Sequence, residues 1–157
     1  ERILAMGKEG GVVPVGLGAR DLLRLEAAMP LYGHELNEET TPTEAGLDRF
    51  VDFGKRKFIG RTAMSHSSSS EFSRRLVCFQ MLDNSIPRAD APILVDGMPI
   101  GKATSGAFSP SLKIGIGMGY VDTIKSLPGT KLEVEVHGKP HPAEVVKRPF
   151  YRRPKKS

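Results

Sequence analysis

From residue 74 to residue 150 the chain breaks into six short apolar segments separated by turn signals: RRLVCFQML, APILV, MPIGKATSG, IGIGMGYV, KLEVEVHG and HPAEVVKRPF. Asp96-Gly97 reads as a hairpin turn, Gly138-Lys139 as another, and Pro128-Gly129 suits a type II turn. Six short strands with frequent turns are expected to form a small antiparallel barrel or sandwich. The 17 Gly and 12 Pro of this 157-residue chain exceed the average usage of roughly one residue in eight and fit so many turns.

The first 64 residues have a different texture. Residues 1–10 read as a helix that the Gly10-Gly11 pair ends, and a chain that opens inside an element is expected to be a fragment of a longer one. Val12 to Val15 reads as a short strand. Ala19 to Met29 reads as a helix with Leu22, Leu25 and Met29 on one apolar stripe and Leu23 beside it, closed by Pro30 and Gly33. In TTPTEAGL, Thr41 fits an N-cap, Pro42 the first helical position and Glu44 the third, which is a capping-box signature. A further short helix is expected near Gly60. The stretch SHSSSSEFS, residues 65–73, holds six serines and reads as a linker. The expected class is therefore α+β: helical and strand pieces over 1–64, a joint over 65–73, a β domain over 74–152 and a basic tail over 153–157.

Hydrophobic residues make up 39% of the chain and charged ones 26%, the balance of a globular protein, with no apolar run long enough for a transmembrane helix. The single cysteine, Cys78, excludes an intramolecular disulfide framework and reads as a buried small hydrophobe. The net charge of +5 is unevenly placed. Residues 147–157 carry six positive charges and no acid, which leaves the preceding 146 residues at −1.

Several chemical motifs fail on inspection. GLGARD lacks the third small residue of a dinucleotide fingerprint, because Asp21 stands there. His137 and His141 flank a turn, and no further ligands complete a tetrahedral metal set. TSGAFSPSL does not make a nucleophile elbow, and Ser109-Pro110 reads as a capped turn. Arg20 and Arg24 pose a sharper question. Four residues apart on a helix they repel, and Arg20 sits near the end that favours anions. Either they are solvated and partnered by Asp21, Glu26 or neighbouring acids, or they face an anionic or carbonyl-bearing ligand that an arginine fork suits.

The stretch GLGARDLLRLEAAMPLYGHELNEETTPTEAGL resembles the signature segment of the glycine cleavage system T-protein family, the folate-dependent aminomethyltransferases. KFIGRTAM, IPRADAPI, IGKATSGAFSPSL, MGYV, PGTKLEVEVHGK and KRPFY continue the resemblance in order. It implies that this chain is the C-terminal portion of a tripartite enzyme: a part of the folate-binding body followed by the family's C-terminal β-barrel. The activity implied is methylene transfer from an aminomethyl-lipoyl carrier protein (the glycine cleavage H-protein) to tetrahydrofolate as co-substrate, with release of ammonia. Residue by residue, it implies that Arg20 contacts the folate, that Tyr151 and Arg152 of the C-terminal segment reach the same site, and that Arg24 supports it through salt bridges. The family's essential aspartate and its pterin-reading acid lie upstream, so no catalytic residue is assigned here. The Ser-rich 65–73 departs from the helical charged stretch expected of the family.

The implied location is the cytoplasm in a bacterium, or the mitochondrial matrix in a eukaryote, with no membrane partner. Folate-linked demethylases and oxidase domains share the fold and are the alternative within it. A related iron–sulfur maintenance family is excluded, because Lys57, Arg61 and Thr62 stand where its Cys, Gln and Glu belong. From another class, a basic-tailed barrel suits a nucleic-acid-binding module, against which stands an aromatic content of 6% with no Trp.

Overall fold

The computed structural model describes residues 1–65 and 73–153. The linker expected at 65–73 and the end of the basic tail therefore fall largely outside the described residues. Three short helices come first: α1 (Arg2–Gly7), α2 (Leu17–Glu26) and α3 (Arg61–Ser65). Six strands follow: β1 (Arg74–Met81), β2 (Pro92–Val95), β3 (Met98–Ser109), β4 (Ile114–Asp122), β5 (Lys131–Val136) and β6 (Lys139–Val146). They close into an antiparallel barrel in the order β1-β4-β3-β2-β5-β6, with β6 pairing back onto β1.

The alternation of side chains along β1 explains its unbroken apolar run. Val77, Phe79 and Met81 point into the barrel with Ile93, Val121, Val134 and Val145, whereas Leu76 and Cys78 join a second cluster with Ile116, Met118 and Tyr120. That second cluster also contains Leu25 and Ala28, so α2 and the turn after it pack on the outer face of the barrel over β3 and β4, in one cluster with the outward side chains of β1. A strand buried on both faces loses the polar half of the usual alternation. On β4, glycines occupy alternate positions where space runs out. A Cβ at Gly117 would lie 2.4 Å from Phe79 Cζ, and one at Gly119 would lie 2.6 Å from the Lys102 carbonyl oxygen.

The structure adjusts several expectations. Residues 12–15 form no strand: they are exposed, without a partner strand among the described residues, and the Val12 N–H instead closes α1 by donating to the Gly7 carbonyl at 3.0 Å. α2 spans Leu17–Glu26 rather than 19–29. It ends in a Schellman motif in which Met29 N donates to Arg24 O and Ala28 N to Leu25 O, both at 2.8 Å, with Ala28 at φ 53°. The early stop leaves Met29 61% exposed, off the stripe assigned to it.

The capping box is present, with Thr41 N and Oγ1 both donating to Glu44 Oε2 at 2.8 Å. It caps a single turn, because the chain swings out at Gly46, where φ is 67°. The Asp96-Gly97 hairpin has positive φ at both residues, as a type I′ turn requires. The β5–β6 turn sits one residue earlier than expected, at His137-Gly138, again with both φ positive.

Candidate functional site

The polar residues of α2 and of the loop after it meet the barrel's outer face through two buried carboxylates. Glu26 closes α2 and is 5% exposed. Its Oε1 accepts the Ser109 hydroxyl at 2.5 Å, from the end of β3, and its Oε2 the Ser111 hydroxyl at 2.9 Å, from the β3–β4 turn. Ser109 Oγ also accepts the Leu112 N–H at 3.1 Å, so this serine caps the turn and serves the carboxylate together. The Glu26 carbonyl accepts the Tyr151 N–H at 3.0 Å, which draws the C-terminal segment onto the helix end.

The second carboxylate is Glu35, in the loop that follows α2. Its side chain is fully buried and pairs with Arg24, whose Nη1 donates to Glu35 Oε2 at 2.7 Å. Arg24 also donates from Nη2 to Ser105 Oγ at 2.8 Å and from Nε to Asp21 Oδ1 at 2.7 Å. A planar guanidinium with several fixed donors can make all three bonds together. Above them the Tyr120 hydroxyl donates to the Glu35 carbonyl oxygen at 2.9 Å, and burial pushes its pKa up to about 12.

A strap from the C-terminal segment completes the region. Arg148 donates from Nη1 to the Ala45 carbonyl at 3.0 Å and from Nη2 to the Leu76 carbonyl, pinning the turn after Thr41 to the edge of β1. A cavity of about 550 Å³ opens beside it, lined by Ala27 to Pro30, Leu47, Phe50 and three cations, Arg49, Arg148 and Arg152. Arg49 lies over the Phe50 ring at 4.6 Å. At the same turn, burial alone would raise the pKa of Glu44, but bonds from Arg74 and Thr41 outweigh it and the net direction is down.

The sequence-assigned residues are thus divided. Arg152 lines the cavity and Tyr151 meets α2 through its backbone. Arg20 is exposed on the other half of α2, does not line that cavity, and makes no side-chain hydrogen bond or ion pair with any described residue. Arg24 faces the barrel, held by Asp21 and Glu35. Its Glu26 alternative does not form, because the Glu26 carboxylate turns to the β3–β4 serines.

Sequence reading passed over Glu35 and the serine partners of Glu26, which lie some seventy to eighty-five residues apart in the chain. The only local signal was a set of hydroxyl residues in IGKATSGAFSPSL, four of which bind these carboxylates: Thr104, Ser105, Ser109 and Ser111. His141 pairs with Asp83, Nδ1 to Oδ2 at 2.7 Å, and no three metal-binding side chains cluster among the described residues. Cys78 is buried, and burial pushes its thiol up to about 12. No helix among the described residues is long and apolar enough to cross a membrane.

Known proteins align with both parts of this arrangement. Residues 74–152 match the family model described as the glycine cleavage T-protein C-terminal barrel domain, and residues 1–55 match the GCVT N-terminal domain. An aminomethyltransferase of Moorella thermoacetica is 49% identical over 154 residues, covering 98% of this chain and 42% of the relative. One from Synechocystis is 50% identical over 143 residues, covering 90% and 38%. Among solved structures, the glycine cleavage system aminomethyltransferase T from Bartonella henselae superposes with a TM-score of 0.88 at 35% identity, covering 96% of this chain and 43% of that one. The chain spans about two fifths of the length of these relatives.

Proposed function

Because the chain belongs to the glycine cleavage T-protein family, we propose that it acts as the C-terminal portion of an aminomethyltransferase. That enzyme moves a methylene group from an aminomethyl-lipoyl carrier protein to tetrahydrofolate and releases ammonia. The observation that carries this reading is the order and reach of the likeness: both family segments match in sequence order, and 98% of the chain aligns with an enzyme named for this activity. The relatives carry that name rather than the name of a demethylase, an oxidase or a nucleic-acid-binding protein, which favours it over the alternatives within and outside the fold.

In this reading residues 1–64 complete a folate-binding body, 74–152 form the C-terminal barrel and 65–73 join them. Arg20 contributes a charge-assisted bond to the folate's anionic groups, and its freedom from partners among the described residues supports an external one. Tyr151 and Arg152 approach from the C-terminal segment, and Arg24 braces the helix. Proton transfer belongs to residues outside this chain. The basic residues from Lys147 onward steer an acidic carrier protein toward the site, an attraction that fades with salt. The setting is the cytoplasm if the source is a bacterium, as it is for the relatives named above, and the mitochondrial matrix if the source is a eukaryote.

The test uses this chain joined to the upstream portion that the relatives carry. Tetrahydrofolate-dependent methylene transfer is expected, and Arg20→Ala should weaken folate binding by roughly ten- to a hundred-fold, the worth of one bond to a charged group. An unchanged folate dissociation constant in folded Arg20→Ala protein removes Arg20 from the site. Absence of methylene transfer with authentic carrier and folate refutes the activity.

A further inference from the structure

Glu35 carries more hydrogen bonds than any local motif foretold. Its Oε2 accepts Arg24 Nη1 at 2.7 Å and the Leu31 N–H at 2.9 Å. Its Oε1 accepts the hydroxyls of Thr104 at 2.7 Å and Ser105 at 2.5 Å. Two donors on each oxygen are what a fully buried carboxyl group needs to replace its lost water. The donors come from α2, from its following loop and from β3, so the carboxylate is a junction between the helix and the barrel.

Among the described residues the far half of α2 is exposed and has no other side-chain anchor. Leu25 and Glu26 are its buried residues, both at the C-terminal end, and Arg20 lies more than one turn away from them. Arg24 bridges the gap: held by Glu35 and Ser105 on the barrel side, it reaches back through Nε to Asp21, the residue next to Arg20. We propose that Glu35 is a positioning residue, which fixes Arg24 and through it sets where the turn bearing Arg20 stands over the barrel face. The functional consequence rests on the reading of Arg20 as a folate contact; the mechanical part does not.

The two parts are separable by experiment. Glu35→Gln keeps the shape but turns one acceptor into a donor aimed at other donors. In the 157-residue chain, amide hydrogen exchange within α2 should accelerate by about ten-fold or more while the barrel strands keep their protection. In the enzyme joined to its upstream portion, the KM for tetrahydrofolate should rise by about ten-fold with kcat little changed, the signature of lost uniform binding. Arg24→Lys should move both readouts the same way, because lysine cannot make the three-way fork.

Val134→Ala, in the barrel interior away from α2, is the matched control for lost stability. It should leave α2 exchange and the folate KM as they were. If Glu35→Gln behaves like Val134→Ala, with lower stability and neither local change, the residue is merely structural and the proposal is overturned. If Arg20→Ala leaves folate affinity intact, the folate reading falls, and the α2 exchange of Glu35→Gln still decides the mechanical part.

Discussion

Replacing Ser109 with alanine removes two hydrogen bonds in one step. The hydroxyl donates to Glu26 Oε1 at 2.5 Å and accepts the Leu112 N–H at 3.1 Å, at a serine with no solvent exposure. A bond to a charged group contributes about 1.5–3 kcal/mol and a lost cap costs about 1 kcal/mol, so Ser109→Ala should destabilise by about 3 kcal/mol. For a chain of this size that lowers Tm by roughly 6–12 °C.

Ser111 makes one bond to the same carboxylate from an exposed position, so Ser111→Ala should cost about 1 kcal/mol. Neutralising the acceptor supplies the decisive comparison. In a Glu26→Gln background the cost of Ser109→Ala should fall by about 1 kcal/mol, because only a neutral bond remains to be lost. Urea unfolding followed by circular dichroism, with unchanged m-values, reads each difference. Equal costs for the two serines, or a Ser109→Ala cost indifferent to Glu26→Gln, would refute the assignment of Glu26 as a charged, buried acceptor.

Three further outcomes are expected. Cys78, buried with its thiol pushed up to about 12, should resist thiol reagents at pH 8 in the native chain and react only at the rate of unfolding; rapid native labelling would contradict its burial. Asp83 is held down to about 2 by the Ser85 hydroxyl and by His141, against the modest effect of burial. Its contribution to stability should thus be complete above about pH 4 and be lost as pH falls through about 2; Asp83→Asn should flatten the stability profile there, and an unaltered profile would count against the pairing. Gly117→Ala would set a methyl group 2.4 Å from Phe79 Cζ and 2.8 Å from the Ser105 carbonyl oxygen. The clash should cost about 1–3 kcal/mol, more than the gain from a less flexible unfolded chain. Phe79→Leu should recover part of that loss in urea melts, and a neutral Gly117→Ala would mean the barrel interior is looser than described.

The strands were legible because each carries its own evidence within a few residues: apolar runs bounded by turn residues such as Asp96-Gly97 and Pro128-Gly129, although the turn expected at Gly138-Lys139 falls one residue earlier. The Arg24–Asp21 contact was legible for the same reason, since three residues on a helix suffice to see it. Misreadings arose where the deciding partner is remote or missing. Val12 to Val15 has strand composition but no neighbouring strand among the described residues, and composition alone does not make a ladder. α2 has helix-forming residues as far as Met29, yet Ala28 adopts the left-handed conformation that helix propensity weighs against. Glu35 carries no local signal, because its partners Thr104 and Ser105 are brought to it only when the barrel closes.

The match boundary at residue 74 cuts through a hydrophobic cluster that belongs to both sides, with Leu25 and Ala28 before it and Leu76, Ile116 and Met118 after it. What is inherited as a segment is therefore not what survives as a soluble object. A barrel cut free at residue 74 would have no open strand edge to invite foreign pairing, since its ladder closes on itself. It would still bare a greasy flank over β1 and β4, and should precipitate or dimerise through that flank unless α2 travels with it.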